Sequence, residues 1–338
     1  MVARLIEGWE SSTVLADYAG KWTSLTGTAT ISSTAGRFGN GLRATGTTVS
    51  VQRTFDNQAT WVVGCAVRYG AAPSASISWI TLLDTAVVHC GVGITDTTGQ
   101  VFAFRATTAT VLGTSALALT QNAWYYLELK ATIGDAPTGS LTVRVNGTAV
   151  LTLTGIDTRN AGNATANVVR LGQGGGTCQT DFDDVYIFDA TGTVNTDFAG
   201  DCRVQQLLPS GAGATTAWTP SAGSNFQCVD DAPPNADTDF VSSATAGQTD
   251  VYAFGGLAVA SGTVKAVQAT ALARKDDAGS RSLALVARPG GTDRLGATQG
   301  VSSSYAGITE VWNTNPDTAA PWTVAETNAS QFGQRLIA

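Results

Sequence analysis

The chain is poor in the groups on which most enzymes and nucleic-acid binders depend. There is a single histidine, His89, and glutamate is confined to Glu7, Glu10, Glu128, Glu310 and Glu326. Charged residues make up only 13% of 338 positions, with no Lys/Arg cluster and a formal charge of −7. A nucleic-acid partner would demand basic groups to displace phosphate counterions, so none is expected. No apolar run approaches the roughly 20 residues that span a bilayer as a helix, and no membrane partner is expected either. The five cysteines, Cys65, Cys90, Cys178, Cys202 and Cys228, are widely spaced without a CxxC pair, which argues against zinc. Buried or idle thiols are the expectation, with a Cys65–Cys90 or Cys202–Cys228 bridge requiring an oxidising environment.

Helical periodicity is also nearly absent. Segments of five to ten residues rich in Val, Thr, Leu, Ile, Tyr and Trp alternate with Gly, Asn, Asp, Pro and Ser clusters, the pattern of antiparallel sandwiches. Thr60–Tyr69, Val101–Arg105, Trp124–Lys130, Leu141–Val145, Val168–Gly172 and Phe182–Asp189 read as strands. Asn146-Gly147 falls between two alternating runs and predicts a tight hairpin, because both turn positions need positive φ. The Gly172-Gln173-Gly174-Gly175-Gly176 stretch opens no helix, so it lacks the mechanics of a phosphate cradle and reads as a flexible loop before the closing strand.

The order of these strands, together with Gly36-Arg37-Phe38-Gly39-Asn40-Gly41-Leu42 near the start and Asp183-Asp184-Val185-Tyr186-Ile187-Phe188 at the close, resembles the concanavalin A-like lectin/glucanase superfamily in its laminin-G-like branch. The resemblance covers residues 1–197. It implies a β-sandwich there and leaves the activity open, because this scaffold serves binding modules, glycan hydrolases and inert domains alike. The glucanase members use an E-x-D-x-x-E strand, and none of the five glutamates has that spacing.

Residues 198–338 begin with a Pro- and Gly-rich lead-in and continue with strands at Asp201–Leu208, Thr249–Phe254, Gly262–Arg274, Ser280–Arg288 and Tyr305–Trp312. Lys275–Gly279 reads as a hairpin turn joining two of them. Thr323-Val324-Ala325-Glu326 fits a capping box and predicts a short helix ending before Gly333, followed by a last strand over Gln334–Ala338. The fold class is therefore all-β, two antiparallel β-sandwich (jelly-roll) domains in tandem, 1–197 and 198–338.

Chemistry is sparse on this frame. His89 and Cys90 are neighbours on a strand and point to opposite faces, so they form no catalytic pair, and His89 is expected on the exposed side of a half-buried strand. No GxSxG elbow, Walker loop or HExxH occurs. Many laminin-G-like and lectin domains bind calcium; Asp181, Asp183 and Asp184 are the candidate ligands, though no second acidic cluster stands ready to complete a shell of six to eight oxygens. Trp9, Trp22, Trp79, Trp218 and Trp312 are conceivable sugar platforms, with core packing the more frequent fate of such residues.

The second half also resembles C-terminal regions of structural proteins from tailed bacteriophages, in phrases such as Asp230-Asp231-Ala232-Pro233-Pro234-Asn235 and Asn328-Ala329-Ser330-Gln331-Phe332-Gly333. That likeness implies a virion structural protein, a capsid or tail decoration, spike or fibre-associated subunit, without enzymatic activity. Its partners would be other virion subunits in a homo-oligomer, with a trimer the expected order. The alternative is a carbohydrate-binding adsorption module that contacts host surface glycans. The N-terminus lacks the apolar stretch of a secretory signal, so synthesis in a host cytoplasm is expected, without a cofactor other than the calcium considered above.

Overall fold

A computed structural model describes residues 2–160 and 162–338. The chain divides into two compact units, one running to Val204 and the other starting at Gln205. Both are built almost wholly of antiparallel strands, as the alternating sequence pattern requires. No helix among the described residues is long and apolar enough to cross a membrane.

The first unit contains β1 (Ala3–Glu7), β2 (Ser24–Thr26), β3 (Ala29–Ser32), β4 (Gly41–Gln58), β5 (Thr60–Tyr69), β6 (Ile77–Asp84) and β7 (Val87–Ile94). It continues with β8 (Gln100–Arg105), β9 (Thr107–Ala118), β10 (Tyr125–Thr132), β11 (Gly139–Val145), β12 (Thr148–Ile156) and β13 (Ala166–Asp189). The main hydrogen-bonded path is β12-β11-β10-β5-β13-β6-β7-β8-β9, and this sheet wraps so that its two halves share one core. Leu127 and Leu129 of β10 thus join the same apolar cluster as Cys90 and Val92 of β7. At the two ends of the path, Gly113 of β9 lies against Leu153 of β12.

β13 is the organising element. Its 24 residues pair with β4 along most of their length, with β6 in the first half, and with β5 and β1 in the second. The Gly172–Gly176 stretch, expected to be a loop, lies within this strand. The glycines serve close packing there: a Cβ on Gly172 would stand 2.2 Å from the Val49 carbonyl oxygen, and ladder irregularities between Gly174 and Cys178 take up the extra residues. Asn146 and Gly147 have φ of 49° and 79°, the expected tight turn between β11 and β12.

The second unit contains β14 (Pro209–Thr216), β15 (Thr219–Pro220), β16 (Val241–Ser242), β17 (Thr249–Phe254), β18 (Thr263–Val264), β19 (Val267–Ala273), β20 (Arg281–Arg288) and β21 (Arg294–Leu295). β22 (Gln299–Val301), β23 (Ala306–Trp312), β24 (Trp322–Thr323), α1 (Val324–Ala329) and β25 (Gln331–Leu336) complete it. One layer follows the order β14-β17-β25-β20-β21, and the β19–β23 pair packs on it through Leu283, Leu285, Ile308, Trp312, Trp322 and Phe332.

The capping box is present: Thr323 Oγ1 accepts from the Glu326 amide at 3.1 Å and Glu326 Oε2 from the Thr323 amide at 2.9 Å. Two expectations are corrected. Lys275–Gly279 is no hairpin, because β19 pairs with β23 while β20 pairs with β25, so the turn carries the chain between layers. Asp201–Leu208 contains no strand; its first residues hydrogen-bond to side chains in place of a ladder, and β14 begins at Pro209.

Candidate functional site

Two arrangements in the first unit bring polar groups together. The first lies on the outer face of the sheet formed by β5, β10 and the second half of β13. Alternation sends Leu127, Leu129, Val63 and Cys65 into the core and turns Tyr126, Glu128 and Gly64 the other way. Tyr186, opposite Gly64, donates its phenol to Glu128 Oε1 at 2.5 Å, and both side chains are buried. Burial raises the Tyr186 phenol well above its usual value, and the neighbouring Glu128 carboxylate adds to that. The other carboxylate oxygen, Glu128 Oε2, is buried without a hydrogen-bond partner among the described residues. Gly64 makes room for the ring: a Cβ there would fall 2.2 Å from Tyr186 Cε1. Gly64→Ala is expected to cost about 2 kcal/mol of stability, read as a lower denaturant midpoint for the first unit.

The candidate calcium ligands lie beside this pair without converging on a common point. Asp181 is clamped between two guanidinia, Arg43 Nε at 2.7 Å and Arg68 Nη2 at 2.6 Å. A ladder irregularity after Asp183, with Asp184 at φ 50°, breaks the strand alternation. Asp183 accepts from the backbone amides of Arg37, Phe38 and Asp184, while Asp184 pairs with the Arg37 side chain at 2.8 Å and accepts from the Val204 amide at 2.7 Å. Burial, reinforced by the Asp184 charge, pushes Asp183 up to about 7. Burial also raises Asp184, against the pull of the Val204 amide and Arg37. Among the described residues no group of three or more His, Cys, Asp or Glu is placed to hold a metal ion.

The remaining sequence candidates are dispersed. His89, expected on an exposed face, is fully buried: its Nδ1 accepts from the Asn160 amide at 3.1 Å, which leaves Nε2 to donate to the Thr165 carbonyl at 3.2 Å. Burial lowers its pKa, so the ring is neutral and fixed in one tautomer. All five cysteines are reduced thiols, and Cys65 and Cys90 are fully buried. Trp9, Trp22, Trp79 and Trp312 are buried, Trp9 and Trp22 stacked 5.5 Å apart, and Trp218 is half-buried with its indole donating to the Gln248 carbonyl. The four buried rings present no free face for a sugar.

The second arrangement lies on the other half of the sandwich. Opposite the core residues Val51, Leu171 and Ile80, register aligns Ser24 of β2, Gln52 of β4, Arg170 of β13 and Thr81 of β6 in one row on the outer face. At an interstrand spacing of about 4.8 Å the row spans roughly 14 Å. Arg170 is half-buried; among the described residues its side chain has a single long contact, 3.4 Å to Gln52 Oε1, and its buried Nε has no hydrogen-bond partner. Desolvation lowers its pKa, and no carboxylate offsets that. Next to the row lies an open depression of about 610 Å³ lined in part by Thr23, Ser24, Arg53 and Thr54. Arg53 props its rim by donating to the carbonyls of Gly20 and Lys21, and it too is pushed below the usual arginine value, by burial and then by Arg4.

Glu128, Tyr186 and Arg170 were not singled out from sequence. Glu128 carries a signal, a lone acid alternating with Tyr126 and Lys130 on the face opposite Leu127 and Leu129, whereas Arg170 becomes notable only once register shows that no carboxylate faces it.

No protein-family model matches the chain, and no curated protein matches it in sequence. Among solved structures it is similar to an endo-β-1,4-glucuronan lyase from the fungus Trichoderma reesei, at 12% identity and TM-score 0.42, over 55% of this chain and 95% of that one. It is likewise similar to a PL-14 alginate lyase from Aplysia kurodai, at 10% identity and TM-score 0.43, over 54% of this chain and 97% of that one. A Trypanosoma rangeli sialidase matches at 13% identity and TM-score 0.36, over 47% of this chain and 27% of that one. The expectation of a bacteriophage virion protein without enzymatic activity is corrected accordingly: these similar structures are carbohydrate-processing enzymes, and no family or curated match supports a virion role.

Proposed function

We propose that this protein is carbohydrate-directed and engages an anionic polysaccharide along the Ser24–Gln52–Arg170–Thr81 row, on a sandwich of concanavalin A-like kinship. The observation that carries the reading is Arg170, a desolvated guanidinium with an unpartnered Nε in the middle of a line of hydroxyl and amide groups. A buried cation without a carboxylate is costly, and a bound anion offsets that cost with a charge-assisted hydrogen bond. The flanking Ser24 and Gln52 supply the donors and acceptors that sugar hydroxyls need, while the buried Thr81 closes the row beyond Arg170. The open part of the row, from Ser24 to Arg170, spans roughly 10 Å and accommodates about two sugar rings, and the depression at Arg53 extends it at one end. Because the chain carries a net charge of −7, long-range electrostatics oppose the approach of a polyanion, so recognition relies on these local groups.

The test is affinity electrophoresis in gels containing alginate or a neutral β-glucan. Alginate is expected to retard the protein, and Arg170→Ala to reduce its affinity about tenfold, which matches the loss of one charge-assisted hydrogen bond. Equal retardation by the neutral glucan, or an Arg170→Ala variant that migrates like the parent, would refute the reading.

A further inference from the structure

The segment that follows β13 crosses the outer face bearing Glu128 and Tyr186. Residues 197–204 cover this pair, yet none of the eight is itself buried. Their attachment is polar almost throughout. Asp197 meets Lys130, Phe198 lies under the Arg144 guanidinium at 4.1 Å, and Asp201 meets Arg37. The Ala199 amide donates to the Tyr186 hydroxyl at 3.2 Å, the Gly200 amide to Glu128 Oε1 at 2.9 Å, and the Val204 amide to Asp184 Oδ1. The segment has no ladder of its own, and among the described residues none of its side chains belongs to the buried cluster that holds Leu127 and Leu129, Val204 alone packing closely, against Gly8. Elements held by few apolar contacts open at lower free energy than the strands beneath them.

What lies under it is not an inert surface. Glu128 is fully buried, one of its oxygens is engaged by Tyr186 and Gly200, and the other, Oε2, lacks any donor. Burying an unsatisfied carboxylate oxygen is costly, and a ligand hydroxyl is the simplest group to satisfy it. Arg37, whose guanidinium reaches Asp184, Asp201 and the Cys202 carbonyl, would lose two of these three partners if the segment lifted. An open segment therefore presents a carboxylate, a phenol and a cation on one sheet face.

We propose that residues 197–204 are a strap that opens as a unit and uncovers a second sugar-binding site, in which Glu128 accepts a hydroxyl beside Tyr186 and Arg37. The opening follows from the contacts just described; the sugar as ligand rests on the carbohydrate reading given above. Residue-resolved hydrogen exchange on the whole protein separates the two. The Gly200 and Val204 amides are expected to exchange about 100-fold faster than the Leu127 and Leu129 amides of β10. Tyr186→Phe, which removes the hydroxyl that accepts from Ala199, is expected to widen that difference severalfold. Equal exchange in strap and strand, or a Tyr186→Phe variant with unchanged exchange, would overturn the strap. An alginate hexasaccharide at millimolar concentration, holding the strap open by occupying the face beneath it, is expected to speed exchange at Gly200 and Val204. Exchange left unchanged or slowed by the sugar overturns the ligand assignment while the strap stands.

Discussion

Replacing Gly333 by alanine is expected to destabilise the second unit by about 3 kcal/mol while leaving the first unit unaffected. Gly333 lies in β25, the strand between β17 and β20, and a Cβ there would stand 1.9 Å from the Asp250 carbonyl oxygen and 2.7 Å from Val251 Cα. Both obstacles are backbone atoms of a paired strand, so no side-chain rotation relieves the clash. The neighbouring strand would have to move as a whole, and Asp250 is tied down: buried, it accepts from the Trp218 amide at 2.8 Å and from the Asn225 side chain and the Tyr252 hydroxyl. The core above it is small, centred on Leu283, Leu285, Trp312, Trp322 and Phe332. A loss of this size is a large share of the roughly 5–15 kcal/mol that holds an ordinary domain together. Denaturant unfolding should show the change confined to Trp218, Trp312 and Trp322 fluorescence, with the first unit's transition unmoved. A Gly333→Ala protein with an unaltered second transition would contradict the packing described here.

The second large effect is a pH dependence that resides in one carboxyl. Asp183 has its folded value raised from 3.8 to about 7, through burial and then the Asp184 charge. A raised value means that the folded state holds the proton more tightly than the unfolded chain does. The associated stabilisation is thus complete below the unfolded value and lost as pH climbs through the folded one. The window runs from about pH 4 to about pH 7, and a shift of that size corresponds to roughly 4 kcal/mol. Other groups add their own pH dependence: Glu10 and Asp184 are raised by burial in the same sense, whereas Asp189, held low by Thr191 and Arg4 against its own desolvation, acts in the opposite sense at more acidic pH. The useful quantity is therefore a difference between proteins. The stability of Asp183→Asn relative to the parent should increase by a few kcal/mol between pH 4 and pH 7, because asparagine does not titrate. A pH-independent difference would show that Asp183 ionises normally.

Legibility in the sequence was uneven, for physical reasons. Strands with strict alternation, such as Leu141–Val145, and turns with a backbone demand, such as Asn146-Gly147, announce themselves locally. So does the Thr323/Glu326 box, whose partners are three residues apart. The glycine run at 172–176 misled because glycine marks a loop and a crowded strand equally; only the approach of β4 on one side and β6 on the other tells them apart. The Lys275–Gly279 turn misled for a similar reason, since a charged tip is compatible with a hairpin and with a crossing between layers. At the candidate sites, Asp183 and Asp184 drew attention as acids, yet among their partners Arg37 and Phe38 lie more than 140 positions earlier and Val204 lies beyond the closing strand. Arg170 drew none, because what distinguishes it is a contact it lacks.

The length of β13 carries a consequence for how the protein is made. Strands β1, β4, β5 and β6 all need β13 as a neighbour, and β1 pairs with residues roughly 180 positions downstream. While a ribosome adds about 5–20 residues per second, those strands leave the exit tunnel with one edge unsatisfied and wait on the order of ten seconds for the sequence that closes them. Their apolar faces and open edges are adhesive during that interval. Truncations that stop before Asp189 should consequently accumulate as aggregates or chaperone-bound chains instead of as a smaller folded sandwich.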